Sequence, residues 1–162
     1  RARGAVVWED EPMSTLFTKI INGEIPGSFV WADEDCAAFA TIEPHTEGHV
    51  LVVPRQEIDS YVDAPDELVA HLAVVARRIG AAQTRVFGAA RAGIVVAGYG
   101  VDHLHVHVLP IRTEEDLQFS SARKDAAPEE IEAAMARLRA GLREDGWEEF
   151  VVDAAPGASG AR

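Results

Sequence analysis

The stretch His103-Leu104-His105-Val106-His107-Val108-Leu109, which runs directly into Pro110, organises the whole chain. Successive side chains of a β-strand point to opposite faces. The three histidines therefore share one face, with roughly 6 to 7 Å between neighbours along the strand, and the apolar residues share the other. Alternation rich in Val favours a strand over a helix, which would scatter the imidazoles. We predict a strand over 103–109 whose imidazoles line a cleft. The alternative is a half-exposed strand that carries histidines by chance.

Imidazole changes charge near neutral pH, so it can serve as nucleophile, proton donor or metal ligand. Three imidazoles on one face permit different roles: one attacks, one sets the tautomer of the attacking ring, and one offers a proton to a phosphate oxygen or a leaving group. The middle ring, His105, is the best flanked for attack. His-x-His on a strand is also a metal-binding arrangement, although no thiolate lies nearby in the sequence. We therefore predict nucleophilic catalysis, with zinc catalysis as the alternative.

Length and charge narrow the class of protein. The 162 residues suit one domain with a real core. A formal net charge of -12 repels phosphate backbones, so we expect no nucleic-acid partner, whereas a small nucleotide remains compatible. The lone Cys36 excludes an intrachain disulfide framework and favours a reducing compartment. The longest apolar run, Val50 to Val53, is too short for a membrane span, and no secretory signal is visible. We expect a cytoplasmic protein with no membrane partner.

The hydrophobic pattern predicts one α+β domain over residues 13–152. Ser14 or Thr15 could cap a short first helix, and His49 stands at the mouth of an almost wholly apolar strand, which should be central. The predicted strands are 29–31, 36–41, 49–54, 94–97 and 103–109, and the longer predicted helices are 66–86 and 128–143. Residues 1–12, before Met13, are expected to be a flexible extension or a cloning remnant, and 153–162 a disordered tail.

A glycine-rich connection, Gly98-Tyr99-Gly100, immediately precedes the histidine stretch. Two glycines at this spacing are typical of a hairpin turn. Their backbone N–H groups could equally approach a phosphate, because no side chain obstructs them. We keep both interpretations open.

The residues His-Leu-His-Val-His-Val-Leu closely resemble the signature of the histidine triad (HIT) family of nucleotide hydrolases and transferases. Two upstream segments resemble the same family, residues 16–26 and 48–54, and they occur in the family's order with the long helix after them. The resemblance covers roughly Leu16 to Pro110. It implies an α+β fold with an antiparallel sheet of about five strands, a long helix and a C-terminal helix. It also implies a homodimer joined through the long helices and a sheet edge.

The same resemblance implies roles for individual residues. His105 would attack the α-phosphate of a purine nucleotide to form a nucleotidyl-histidine, which water hydrolyses. His107 would contact the phosphate, while His103 and His49 would form the network behind the nucleophile. The nucleotide-binding residues that it implies are Phe17, Ile20, Thr41 and Ile42. To these we add Gly98, Tyr99, Gly100 and Val101, in the loop whose backbone N–H groups could approach a phosphate.

Several positions depart from the family pattern. Ala97 and the Gly98-Tyr99-Gly100 loop replace amide and hydroxyl side chains that hold phosphate, and Thr41 replaces an acidic residue at the ribose. Thr15 and Thr18 replace a cysteine pair that binds zinc in some members, so we predict no structural zinc and no cofactor. The expected substrates are nucleoside phosphoramidates or dinucleoside polyphosphates. The alternative is a non-catalytic nucleotide-binding or interaction protein that retains the fold.

Overall fold

A computed structural model of the chain describes residues 14–157. Its five strands form one antiparallel sheet in the order β1-β2-β3-β5-β4. The α+β prediction is therefore confirmed, with a sheet of five strands. In chain order the elements are α1 (Leu16–Ile21), β1 (Phe29–Ala32), β2 (Cys36–Ala40), β3 (Val50–Pro54), α2 (Asp66–Val86), β4 (Arg91–Val95), β5 (Val106–Ile111) and α3 (Pro128–Glu144), joined in places by single turns of 3-10 helix.

The two faces of the sheet have different coverings. Helix α2 packs on β3, β4 and β5, while α3 packs on α2 and β1. The apolar stripe of α2, which includes Leu72, Val75 and Ile79, is buried in this core. Alternate residues of the strands point to the other face, where Phe39 and Leu51 pack in a second cluster with α1. Strand β3 is buried along its whole length between β2 and β5, which confirms its predicted central position.

The predicted strand 103–109 is wrong at its start, because β5 begins at Val106. The first β3–β5 pair is Val52 with Val106. Before it, the backbone leaves the sheet: Leu104 N–H donates to the carbonyl of Ile58 at 2.7 Å. Strands β4 and β5 pair as far as Arg91 and Ile111, which lie opposite each other. Strand β4 therefore begins at Arg91 and not at the predicted start, Ile94.

The last described residue, Gly157, is held by two hydrogen bonds. Gly157 N–H donates to the carbonyl of Ile21, and Arg55 donates to the carbonyl of Gly157, so the first part of the predicted tail packs against α1. The predicted extension over 1–12, Met13 and residues 158–162 lie outside the described residues. Within residues 14–157 no helix is both long and apolar enough to span a membrane.

Candidate active site

A cavity of about 550 Å³ lies on the sheet face opposite α2. Its walls come from α1, the ends of β2 and β3, the loop before β5, and the turn around Phe119. Most of the predicted site residues reach it: His49, His105, His107, Phe17, Ile20, Thr41, Ile42, Tyr99, Gly100 and Val101. Two predicted residues, His103 and Gly98, do not line it. The sheet register explains the convergence, because β3 and β5 pair Leu51 with His107 and so bring His49 beside that ring.

A directed chain of hydrogen bonds runs through His49 to His107. The backbone N–H of His45 donates to His49 Nδ1 at 3.1 Å. Since Nδ1 accepts this bond, His49 must carry its proton on Nε2, which lies 3.0 Å from His107 Nδ1. His107 Nδ1 is then the acceptor, so His107 carries its own proton on Nε2. The neutral His107 ring can therefore donate a hydrogen bond into the cavity.

The hydrogen bonds of His105 leave its other ring nitrogen available. Its Nδ1 lies 2.7 Å from the carbonyl oxygen of His103. A carbonyl can only accept, so the proton of neutral His105 lies on Nδ1 and the lone pair on Nε2. The ring is 5% exposed, lines the cavity and packs edge-on against Phe17 at a centroid distance of 5.0 Å. His105 is therefore arranged as a nucleophile.

His103 lies behind His105, so the prediction that all three rings line the cleft is wrong for this residue. Its Nε2 lies 2.7 Å from the carbonyl oxygen of Pro54, and its Nδ1 accepts from the hydroxyl of Thr15 at 2.6 Å. The ring is fully buried because the chain before β5 turns towards the end of β3. These two bonds hold the carbonyl that His103 offers to His105.

Thr15 and Thr18, the positions at which we predict no structural zinc, are hydrogen-bonded to each other. Thr15 caps α1 by accepting from Thr18 N–H, and Thr15 N–H donates to Glu57 at 2.9 Å. The Thr15 hydroxyl also bonds His103, as described above. No thiolate takes part in this group, and thiolates are the ligands that structural zinc sites favour. The absence of structural zinc stays a prediction.

The alternative of catalytic zinc needs several donor atoms that converge. Among residues 14–157 the group with such spacing is Asp33, Cys36 and His71, whose donor atoms lie within 4.8 Å of one another outside the cavity. Asp33 there accepts hydrogen bonds from Trp31 and, at 2.8 Å, from the half-buried His71. In the cavity, His49 and His107 bond each other and His105 bonds a backbone carbonyl, so the zinc alternative gains no support from their arrangement.

Burial keeps three of the imidazoles neutral. Desolvation, aided by the neighbouring His107 and His45, holds the pKa of His49 well below its usual range. Burial likewise lowers the pKa of His107 to about 4 and also lowers the pKa of His103. The tautomers described above for His49, His103 and His107 are therefore those of the protein near pH 7, and His107 acts as a hydrogen-bond donor rather than as a cation.

Comparisons with known proteins decide the family. A family model of the HIT domain matches residues 22–114, more than half of the chain. The chain belongs to the HIT family. In structure, this HIT protein resembles a Zn-bound histidine triad family protein from Mycobacterium smegmatis, with 31% identity and a TM-score of 0.72, covering 83% of this chain and 96% of that one. It also resembles a hypothetical histidine triad nucleotide-binding protein from Sulfolobus tokodaii, with 28% identity and a TM-score of 0.69, covering 79% and 91% of the two chains.

A relative with a named activity is the adenosine 5'-monophosphoramidase HNT1 of Saccharomyces cerevisiae. It is 32% identical over 101 residues, which are 62% of this HIT protein and 64% of the yeast protein. The named activity is that of the yeast protein.

The site residues of this HIT protein that were not predicted from the sequence include His45, Phe119 and Gln83. His45 and Phe119 line the cavity beside His107, and the buried Gln83 of α2 lies behind it. Gln83 Nε2 donates to the carbonyls of Gly48 and Val108 at 2.8 and 2.9 Å, so one amide holds the residue before His49 and the residue after His107. Gln83 could have been noticed in the sequence, because it is a polar residue within the apolar stripe of α2. For His45 the signal was its place four residues before His49.

We expect this HIT protein to lose stability as the pH falls from about 6.5 to about 4, the interval between the ordinary pKa of an imidazole and the lowered pKa of His107. In that interval the unfolded chain binds a proton that the folded chain does not, so acid favours unfolding. Above about pH 6.5 the lowered pKa of His107 makes its full contribution to the free energy of unfolding, about 3 kcal/mol. Urea unfolding at several pH values measures it. The variant His107→Gln should show a shallower decline, and identical slopes would contradict the assignment.

Proposed function

We propose that this HIT protein is a purine-nucleotide hydrolase or transferase that cleaves at the α-phosphorus through a nucleotidyl intermediate on His105. The observation that carries the proposal is the bond from His105 Nδ1 to the carbonyl of His103, which leaves the Nε2 lone pair at the cavity. The named phosphoramidase activity of the yeast relative and the nucleotide-binding description of the Sulfolobus protein support it.

The cavity has an end that suits a nucleoside. Phe17, Ile20 and Ile25 form an apolar wall on the side of α1, and apolar walls with a few polar groups are typical of small-molecule sites. We infer that the base packs there, with the ribose near Thr41 and Ile42. The α-phosphate would then lie at the imidazoles, where the Nε2–H of His107 donates to a phosphate oxygen.

The proposed reaction has two displacements. His105 Nε2 attacks the α-phosphorus, a P–N bond forms, and the bond to the leaving group breaks with its electron pair passing to the leaving nitrogen or oxygen. Water then attacks the same phosphorus, the P–N bond to His105 breaks, and a nucleoside monophosphate leaves. Phosphoramidates and dinucleoside polyphosphates both fit this scheme. His103 and Thr15 act as positioning residues, because they orient the nucleophile without touching the phosphate.

Trapping the intermediate tests the proposal. The protein is mixed with adenosine phosphoramidate or a diadenosine polyphosphate and quenched in alkaline denaturant, because P–N bonds to histidine are labile in acid. Mass spectrometry should find an adenylyl group on the peptide that contains His105. Full turnover by a His105→Gly variant would overturn the proposal.

A non-catalytic nucleotide-binding role is the second candidate, and the loop before β5 favours it. Between Ala97 and Val101 the side chains are those of alanine, glycine, tyrosine and valine, so Tyr99 alone carries a donor, and it is 87% exposed. Nucleotide affinity without turnover over a broad panel of substrates would favour this second role. Measurable turnover would reject it.

We further propose that the chain forms a homodimer through the edge of the sheet and α2. Strand β4 pairs with β5 on one side only, and Ile94 on this edge is 50% exposed. Val69 and Val74 leave apolar surface exposed on α2. An unpaired, apolar strand edge is a template for pairing with a second chain. Light scattering at micromolar concentration should give the mass of a dimer for the wild-type protein and of a monomer for Ile94→Lys. A monomeric wild-type protein would contradict the proposal.

A cytoplasmic location stays a prediction.

A further inference from the structure

The cavity presents almost no fixed positive charge to a phosphate chain. Among the described residues that line it there is no lysine or arginine, and one acidic residue, Glu43, reaches its wall. Burial holds His49 and His107 neutral. The Nδ1 proton of His105 is already donated to the carbonyl of His103, so it does not reach a phosphate. A polyphosphate therefore needs another source of positive charge, because a buried phosphate without one is costly.

The remaining imidazole of the cavity is that of His45, and its orientation is well defined. Its Nδ1 lies 3.0 Å from the backbone carbonyl of Asp116, so Nδ1 donates and Nε2 is the other nitrogen. The ring meets His49 edge-on at a centroid distance of 4.8 Å and Phe119 edge-on at 5.2 Å. Its plane is inclined by 29° to that of the His107 ring, at a centroid distance of 6.3 Å.

The contacts place His45 at the end of the cavity away from the proposed nucleoside wall. Phe17 packs against His105, His105 packs against His107 at 5.1 Å, and His107 packs against Phe119, which in turn contacts His45. A phosphate chain that extends from the α-phosphate away from α1 would therefore approach His45.

We propose that His45 is a second phosphate-binding residue, which contacts the β-phosphate of a polyphosphate leaving group and takes up a proton when that phosphate binds. This inference rests on the proposed function and narrows its substrate class to nucleotides with an anionic leaving group. A phosphate next to an imidazole favours its charged form, and the resulting hydrogen bond is charge-assisted. The groups that face His45 are His49, His107, Glu43 and Asp116, and the Asp116 carboxylate already accepts from the backbone of Arg112 and Thr113.

Calorimetry with adenosine monophosphate and the non-hydrolysable α,β-methylene adenosine diphosphate tests the proposal. Two variants remove the charge in different ways: His45→Gln keeps a polar side chain, and His45→Phe keeps an aromatic ring between His49 and Phe119. The backbone N–H that bonds His49 is present in both. His71→Gln, which changes a histidine outside the cavity, is the control. Titrations in two buffers of different ionisation enthalpy measure the protons bound.

For the wild-type protein we expect greater proton uptake with the diphosphate than with the monophosphate. Both His45 variants should abolish this difference and weaken diphosphate binding about tenfold, the loss of one charge-assisted hydrogen bond, with monophosphate affinity within about twofold. Equal losses for both nucleotides, or an unchanged diphosphate affinity, would overturn the role of His45. If the wild-type protein binds neither nucleotide, the proposed function itself fails.

Discussion

Replacing His105 by Asn should lower kcat at least about 10³-fold for the substrate that the wild-type protein turns over best, since a covalent route loses its nucleophile. The amide nitrogen of Asn can occupy the place of Nδ1 and keep the bond to the His103 carbonyl, whereas the nitrogen at the Nε2 position disappears. Steady-state kinetics and nucleotide binding measure the two effects separately. Binding should change little, because His105 contributes to the displacement more than to the affinity.

A matched variant, His107→Asn, separates attack from phosphate contact. It removes a hydrogen-bond donor rather than the nucleophile, so we expect a loss of about 10²-fold in kcat with the adduct on His105 still detectable. If His105→Asn retained more than about a tenth of the wild-type kcat, where loss of a nucleophile predicts far less, the covalent route would be excluded.

Replacing Gly48 by Ala should produce the largest loss of stability. Gly48 has a φ of +90°, and a Cβ atom there would lie 2.3 Å from Cε2 of the buried Phe87 ring. Backbone strain and overpacking each cost about 1 to 3 kcal/mol, so we expect the free energy of unfolding to fall by about 3 to 5 kcal/mol. Urea denaturation measures it. The change also displaces His49 and the carbonyl that Gln83 holds, so activity should fall in the protein that remains folded.

Gly88 provides the control for this substitution. It also has a positive φ, +61°, but no atom beyond its own and the two adjacent residues lies within 4 Å of the position that a Cβ atom would take. Gly88→Ala should therefore show the backbone cost alone, about 1 kcal/mol. Equal losses in the two variants would show that the contact with Phe87 is not responsible.

Local sequence patterns predicted the elements that are marked by helical spacing or by a run of apolar residues. The stripe of α2 predicted both of its ends, Asp66 and Val86, and the apolar run before Pro54 predicted the central strand. The starts of β4 and β5 could not be predicted in this way, because each depends on its register with a strand distant in the chain.

The sequence by itself determined that His105 and His107 share one face, since side-chain alternation is a local property of extended backbone. It also determined the position of His49 at the mouth of β3. Only the tertiary structure decided which nitrogen of His103 carries the proton, because its partner is the carbonyl of Pro54, far along the chain, and only the register of β3 and β5 brought His49 Nε2 to His107 Nδ1. The place of His45 in the cavity and of Gln83 behind it was decided in the same way, by the packing of loop and helix against the finished sheet.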